Sequence, residues 1–586
     1  MYPHRIPTDT EWANSRVANL PPRWESRLLK AWKSRFPTDY FGANVELRET
    51  TESLLRVRIP LDASDAEICE AAKSLADRCA RRAELFHTAV ELRAAMERIC
   101  HGQGVVPPPD KTRNGPAISR MCCLLWWRRK LRKHQGHTVE AAAIRLGYVN
   151  KLRDLYVSNE RLTARIQQNK RNLATLEATI ATNEYGQQFT LAELAAKSTA
   201  NKAIRRAELM TRISGFERLA SDMNHVGLFI TLTCPSRFHR FLTVNGGTKV
   251  VDNKNYAPAE NPKTAQKYLA KVWSQIRSNL ARQSIFLYGI RIAEPQHDGT
   301  PHWHLLVFCS SESVFNVQHI MRKHALKDSP GEPGAQERRC DFKVMDPEKG
   351  SAAGYVAKYI AKNIDGQHVG DDLNGIPATT SAVRVEAWAA TWGIRQFQQV
   401  GGPPVGVWRE LRRIDTIPKN APEHLKRAHD AVNKVTVIEG RENASAAWDE
   451  YCRAQDGPFS GKRAPIKLAM RSSEKLGIYG DPASQKPFGV ETTVLESYAD
   501  PSSPANSLVR PIHWIVESKR LTWEIKSRNE RPTIAGEKFA ERTQSDQPWT
   551  RVNNCTSLQL QQRMIASDAF VETLITYPES SNGSPY

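Results

Sequence analysis

Two hydrophobic rhythms divide the chain. Between residues 150 and 218, apolar residues recur at helical spacing: Leu162, Ile166, Leu173, Leu176 and Ile180 keep an amphipathic pattern. "TLAE" at 190–193 has the form of a capping box for a following helix. The spacing predicts two long helices packed as a hairpin. At 225–238, "HVGLFITLTCPSRF" switches to alternation rich in β-formers and stops at Pro235. A second strand-like run, "SIFLYGIRIAE" (284–294), follows.

The next segment, "GTPHWHLLVF" (299–308), also reads as a strand. Residues 302, 304, 306 and 308 share one face, while Trp303, Leu305 and Val307 share the other and belong in a core. A turn at "PQHDGT", marked by Asp298-Gly299, would join the two runs as a hairpin. If the turn spans 295–301, Glu294 sits opposite His302. His302 and His304 are then either two solvated polar residues or two ligands aimed at one ion. With Glu294 they would form a catalytic divalent-metal site with open positions.

Fifty residues on, "AAGYVAKYIAKNID" (352–365) divides cleanly as a helix. Tyr355, Lys358, Tyr359 and Lys362 cluster on one arc; Ala353, Val356, Ala357, Ile360 and Ile364 occupy the opposite one. A phenol becomes a usable nucleophile when a nearby cation lowers its pKa, and a lysine can neutralise charge in a transition state. Beside a metal, these groups describe attack of tyrosine on a DNA phosphodiester.

Composition narrows the partner. The chain has 586 residues, a net charge of +20 and globular proportions of apolar (40%) and charged (25%) residues, so two to four domains and a polyanionic partner are expected. No apolar run approaches a membrane span and the start has no signal-peptide core, which predicts a cytoplasmic protein without membrane contact. None of the ten cysteines forms a C-x-x-C pair, so reduced thiols are expected. From 111 to 139 there are eight Lys or Arg and no acid, centred on "LLWWRRKLRKH" (124–134). That stretch is either a nucleic-acid contact with stacking indoles, or a helix with a tryptophan core side and a solvated basic side.

Four regions are expected. Residues 1–105 form an N-terminal mixed and helical region, closed by a linker at "GQGVVPPPD" (102–110). Residues 106–218 are basic and long-helical, 219–415 carry the histidines and tyrosines, and 416–586 form a helical region with a disordered tail. "APEHLKRAHDAVNKV" and "NASAAWDEYCRAQ" supply the helices of the last region.

"FITLT" (229–233), "PHWHLL" (301–306) and "YVAKYIAK" (355–362), in that order, resemble the three motifs of HUH rolling-circle replication initiators. Two tyrosines four apart, downstream of the histidines, resemble the bacteriophage replication gene A protein family. "VEAWAATWGIRQFQQVGGPPVGVWRELRR" (385–413) is similar to a segment that follows the tyrosines there. The resemblance implies an α+β fold whose HUH core is a central antiparallel sheet with packed helices, flanked by largely helical regions. It implies Mg²⁺ or Mn²⁺ held by His302, His304 and Glu294, with Tyr355 and Tyr359 as nucleophiles. Lys358 and Lys362 would assist, and Thr231 and Thr233 would line the site. The implied reaction nicks and rejoins one strand of single-stranded or supercoiled DNA at a replication origin, through a 5′-phosphotyrosine, in a bacterial host. No Walker-type phosphate loop is present, so unwinding would fall to a host helicase and the replication machinery. The competing readings are a single-tyrosine HUH transposase and a single-stranded DNA-binding protein without catalysis.

Overall fold

In the computed structural model, the described residues are 8–527 except 19, 56–58, 245–247, 347, 349, 365, 367–377, 439–440, 473–474 and 501–502. The anticipated tail, "YPESSNGSPY", lies outside them. They divide into two compact units, one within 8–148 and 475–484, the other within 149–472 and 485–527.

The first unit is helical among its described residues, so the N-terminal segment is less mixed than its sequence implies. Helices Asp65–Arg82, Ala89–Gly102 and Leu124–Arg145 enclose a core of Ile68, Leu75, Met96, Ile99, Trp127 and Leu131. Trp126 and Trp127 are both in that core, so the indoles of the basic stretch are not available to stack on bases. Around them Lys130 lies 5.1 Å over the Trp126 ring, and Arg132 pairs with Asp65 at 2.7 Å. The structure therefore supports the reading of a core-facing helix with a basic outer side. "GQGVVPPPD" breaks the helical pattern but stays inside this unit. Arg93 donates to the carbonyls of Pro109 (3.1 Å) and Thr112 (2.6 Å), fastening the loop. A returning segment adds Tyr479, whose ring lies 4.7 Å under the Arg120 guanidinium.

In the second unit, a five-stranded antiparallel sheet is built from β1 (His225–Leu232), β2 (Tyr288–Pro295), β3 (Pro301–Ser310), β4 (Cys340–Val344) and β5 (Phe397–Val400), in the order β4-β1-β3-β2-β5. Both faces are covered, which is why β2 is buried throughout; on β3, His304 is buried and His302 partly exposed. Helices α1 (Lys202–Asp222) and α3 (Ala352–Ile364) cover the face bearing Phe229, Ile290, Ile292, Leu306 and Phe308. On the other face, α2 (Pro262–Arg282) packs, and its Gln266 accepts from the Trp303 indole at 3.0 Å. Trp303, Leu305 and Val307 are buried there as the alternation predicts.

Two expectations fail. The helix Asn159–Glu177 buries no residue, leaves Ile166 and Leu173 about half exposed, and ends before Ile180, which lies in the strand Thr179–Asn183. The two long helices form, Asn159–Glu177 and α1, but not as a hairpin: the first packs instead against the helix Ala378–Trp392, bonding through Arg165 and Asn169 to Glu386. The Thr190–Glu193 capping box does form. The second failure is the region after 416. Helices Glu423–Asn433 and Trp448–Ala454 are present, but Lys467–Arg471, Lys486–Asp500, Ser503–Glu517 and Trp523–Ser527 are strands. Leu495 and Val509 are exposed there, so no apolar face announces the strands in sequence. The nine described cysteines are all free thiols. Among the described residues, no helix is long and apolar enough to cross a membrane.

Candidate active site

The β2–β3 hairpin pairs Glu294 with His302 and Ile292 with His304. Its register is fixed by the turn. Gly299 adopts φ +83°, a conformation costly for other residues, and a Cβ there would lie 2.9 Å from the Tyr156 carbonyl. Buried Asp298 accepts from the Thr300 N–H and holds His239 Nδ1, each at 3.0 Å. The Trp388 indole donates to the Gly299 carbonyl at 2.7 Å.

This register brings three ligand-type atoms together: donors of Glu294, His302 and His304 all lie within 4.8 Å of one another. The two imidazole Nε2 atoms are 2.9 Å apart, and His304 Nε2 is 3.8 Å from Glu294 Oε2. Two ligands at right angles around a small divalent ion, each about 2.1 Å from it, would be about 3 Å apart. Thr231, the cross-strand partner of His304, meets its Nδ1 at 3.1 Å. Accepting from Nδ1–H, that hydroxyl leaves Nε2 with its lone pair for an ion. Burial, then the neighbouring His304, pushes His302 down to about 3, so its imidazole is neutral near pH 7. His302 Nδ1 is buried with no hydrogen-bond partner. Two imidazoles and a carboxylate converging in this way fit a divalent cation.

Helix α3 docks over these groups. Ala353, Val356, Ile360 and Ile364 are buried as expected, whereas Ala357 is only half-buried. Glu217 of α1 caps the helix, accepting from the backbone N–H of Ala352 and, at 3.1 Å, of Ala353. A carboxylate at this end also suits the helix dipole. The Tyr359 ring lies 4.7 Å from the His304 ring, and Tyr355 is 6.0 Å from Tyr359, centroid to centroid. Phe229 separates β1 from the helix and touches His304, Tyr355 and Tyr359 at 5.2, 4.8 and 5.2 Å.

Residues 108–367 match the bacteriophage replication gene A protein family. This segment of the chain belongs to that family. The replication gene A protein of Escherichia phage 186 is 39% identical over 416 residues, covering 69% of this chain and 56% of its own length. The replication protein of Haemophilus phage HP1 is 36% identical over 461 residues, covering 76% and 54%. A probable replication endonuclease from a prophage-like region of Salmonella typhimurium is 29% identical over 470 residues, covering 79% and 55%. The chain thus spans little more than half the length of these relatives. No solved structure matches it.

The electrostatics of this replication gene A family segment differ from the sequence expectation at the tyrosine helix. Among the described residues, burial, and then Tyr355, push the Tyr359 phenol up. Lys362 lies 3.7 Å from Glu294 and 5.3 Å over the Tyr156 ring. Lys343 of β4 lies 4.4 Å from the Tyr355 ring. The Lys358 side chain lies outside the description, and Thr233 turns outward to the Arg338 carbonyl at 3.0 Å.

Sequence reasoning missed Asn363. This buried carboxamide donates to Glu294 Oε1 and, at 2.6 Å, to the Tyr359 carbonyl. It also receives Gln396 Nε2 on its own oxygen and its carbonyl, both at 3.3 Å. The signal was present: Asn363 stands seven residues after Val356, a polar residue on the buried arc. Tyr156, buried with φ +69°, gave no comparable signal.

Proposed function

We propose that this protein is a site-specific single-strand DNA endonuclease that nicks and rejoins DNA to start phage rolling-circle replication. The observation that carries the reading is the placement of Tyr355 and Tyr359 against the face where His302, His304 and Glu294 converge. The family match to phage replication proteins supports DNA at a replication origin as the partner.

In this reading, His302, His304 and Glu294 hold Mg²⁺ or Mn²⁺, and Thr231 and Asn363 orient two of them. The bound ion would polarise a phosphoryl oxygen and align the scissile bond. A tyrosine phenol oxygen attacks phosphorus and gives up its proton as the P–O3′ bond breaks. The departing 3′ oxygen takes up a proton, leaving a 5′-phosphotyrosine and a free 3′-hydroxyl. Attack by that hydroxyl on the phosphotyrosine reverses the step and rejoins the strand without an energy source. Lys362 adds positive charge beside Glu294, where phosphate would enter. Because burial holds the Tyr359 phenol protonated, its proton leaves only as its oxygen bonds to phosphorus. Unwinding is assigned to a host helicase.

A single-tyrosine transposase reading draws on one asymmetry: Tyr359 lies against His304, while Tyr355 lies against Phe229 and Lys343. A nicking assay separates these accounts from plain single-strand binding. Supercoiled DNA carrying the sequence around the gene is incubated with protein and Mg²⁺ or Mn²⁺. A relaxed product with protein attached supports the nickase, and binding without relaxation supports the non-catalytic reading.

A further inference from the structure

The segment 385–413 is not used by the chemistry above, yet it supplies a charge with no counterpart. Three arginines of the described residues are buried: Arg212, Arg291 and Arg339. Arg212 faces Glu208 at 3.4 Å, and Arg339 faces Glu332 at 2.6 Å. Arg291, 3% exposed, has no carboxylate among the described residues. Its guanidinium lies 4.2 Å over the Trp303 ring and donates to the Arg395 carbonyl at 2.8 Å, while Nε is buried without a partner.

Stacking on indole offsets only part of the cost of burying an unpaired charge. Among the described residues, the charge that acts on it makes matters worse, because it is Arg395, also cationic. Burial, and then Arg395, hold the Arg291 guanidinium down at about 10. Arg395 is exposed, donates only through Nε to the Phe397 carbonyl (3.1 Å), and has no acidic partner among the described residues.

Arg395 follows on from the pairing that leads to Glu294. Beyond the Ile292–Phe397 pair, the Ala293 N–H donates to the Gln396 carbonyl at 2.7 Å, continuing the ladder toward Glu294. Arg395 is the next residue along, and Gln396 holds Asn363, the donor to Glu294. Arg291 therefore lies on the Glu294 strand itself, its side chain turned to the Trp303 face of the sheet, and Arg395 is exposed just before the edge strand β5.

We propose that Arg395, with Arg291 beneath it, is a phosphate subsite for the DNA strand beside the scissile bond. Arg395 contacts the phosphate, and Arg291 supplies positive potential that the protein does not cancel. The subsite rests on the nickase reading, since it needs a single strand that leaves the metal face over the β5 edge of the sheet.

The test uses full-length protein carrying Tyr355→Phe and Tyr359→Phe, so that DNA binds without being cut. The probe is a fluorescein-labelled single-stranded oligonucleotide that the parent protein cleaves, followed by anisotropy over a range of salt concentrations. Arg395→Gln should weaken binding roughly tenfold at low salt, the worth of one charge-assisted contact. It should also reduce the slope of log affinity against log salt by about 0.7, one phosphate's share for a single strand, while Arg395→Lys keeps the slope. Uncharged methylphosphonate at one position next to the scissile phosphate should cost affinity in the parent and nothing in Arg395→Gln. Arg291→Met, which keeps a side chain over Trp303, should bind more weakly yet melt no lower than the parent. Unchanged affinity and slope in Arg395→Gln overturn the subsite, as does a methylphosphonate penalty that persists at every position. Arg291→Met that melts lower and binds normally reduces Arg291 to packing and overturns its part. A parent protein that cuts no DNA removes the nickase reading and the subsite together; one that cuts normally beside an inert Arg395→Gln removes the subsite alone.

Discussion

Asn363 donates its carboxamide to Glu294, and this bond ties the tyrosine helix to the strand that completes the candidate metal centre. The same nitrogen reaches the Tyr359 carbonyl, one turn back. Position of the phenols and position of the carboxylate are thus set by one buried side chain.

Replacing Asn363 by Ala should therefore affect stability and metal affinity together. A buried carboxylate losing a donor costs about 1–3 kcal/mol, and loss of a group that orients a metal ligand lowers affinity roughly 10–100-fold. Thermal melts with and without Mn²⁺ check both. A variant with the parent's Mn²⁺-induced shift in melting temperature would show that Asn363 does not orient Glu294.

His302 gives a pH dependence whose sign is fixed. Its folded pKa of about 3 lies below the ordinary 6.5. Between these values the unfolded chain binds a proton at this position that the folded chain does not. This contribution to stability is therefore lost as pH falls from 6.5 toward 3. In metal-free protein, His302→Gln should lose stability less steeply than the parent over that window. Parallel denaturation curves from pH 6.5 downward would contradict the assignment.

The basic helix of the first unit should act on stability rather than on DNA. Trp127→Ala removes a fully buried indole and should cost about 3–5 kcal/mol. Arg129→Gln with Lys133→Gln, both on exposed positions, should change stability by no more than about 0.5 kcal/mol. That pair should also leave the affinity for single-stranded DNA and its salt slope unchanged. A drop in both would return the stretch to the nucleic-acid interface.

How far the site could be read from sequence follows from how strongly each element is patterned. The β2–β3 register was legible because Trp303, Leu305 and Val307 alternate beside an Asp-Gly turn, and a one-residue slip would bury the wrong face. The division of faces on α3 was legible for the same reason at helical period. What Lys362 touches was not, because a long flexible side chain can reach either the phenols or Glu294, and only the fold decides. The strands after 467 escaped notice because their outward residues include Leu495 and Val509 and their inward ones include Thr492, which cancels the alternation. The helix at 159–177 misled because amphipathic spacing records a preference for burial, not the presence of a partner surface.

The central claim is that Tyr355 and Tyr359 both serve as nucleophiles at the face of His302, His304 and Glu294. An enzyme bonded to a first 5′ end needs a second phenol to make a later cut without release, and the two rings are 6.0 Å apart on one helix face. The most direct measurement is mass-spectrometric mapping of the covalent adduct on a single-stranded origin oligonucleotide, for Tyr355→Phe, Tyr359→Phe and the double variant. Phe keeps each ring against Phe229 and removes only the attacking oxygen. Each single variant should yield an adduct on its remaining tyrosine and fail at repeated rounds, and the double variant should bind the oligonucleotide and yield none. A single variant with full multi-round activity, or an adduct formed by the double variant, would contradict the account.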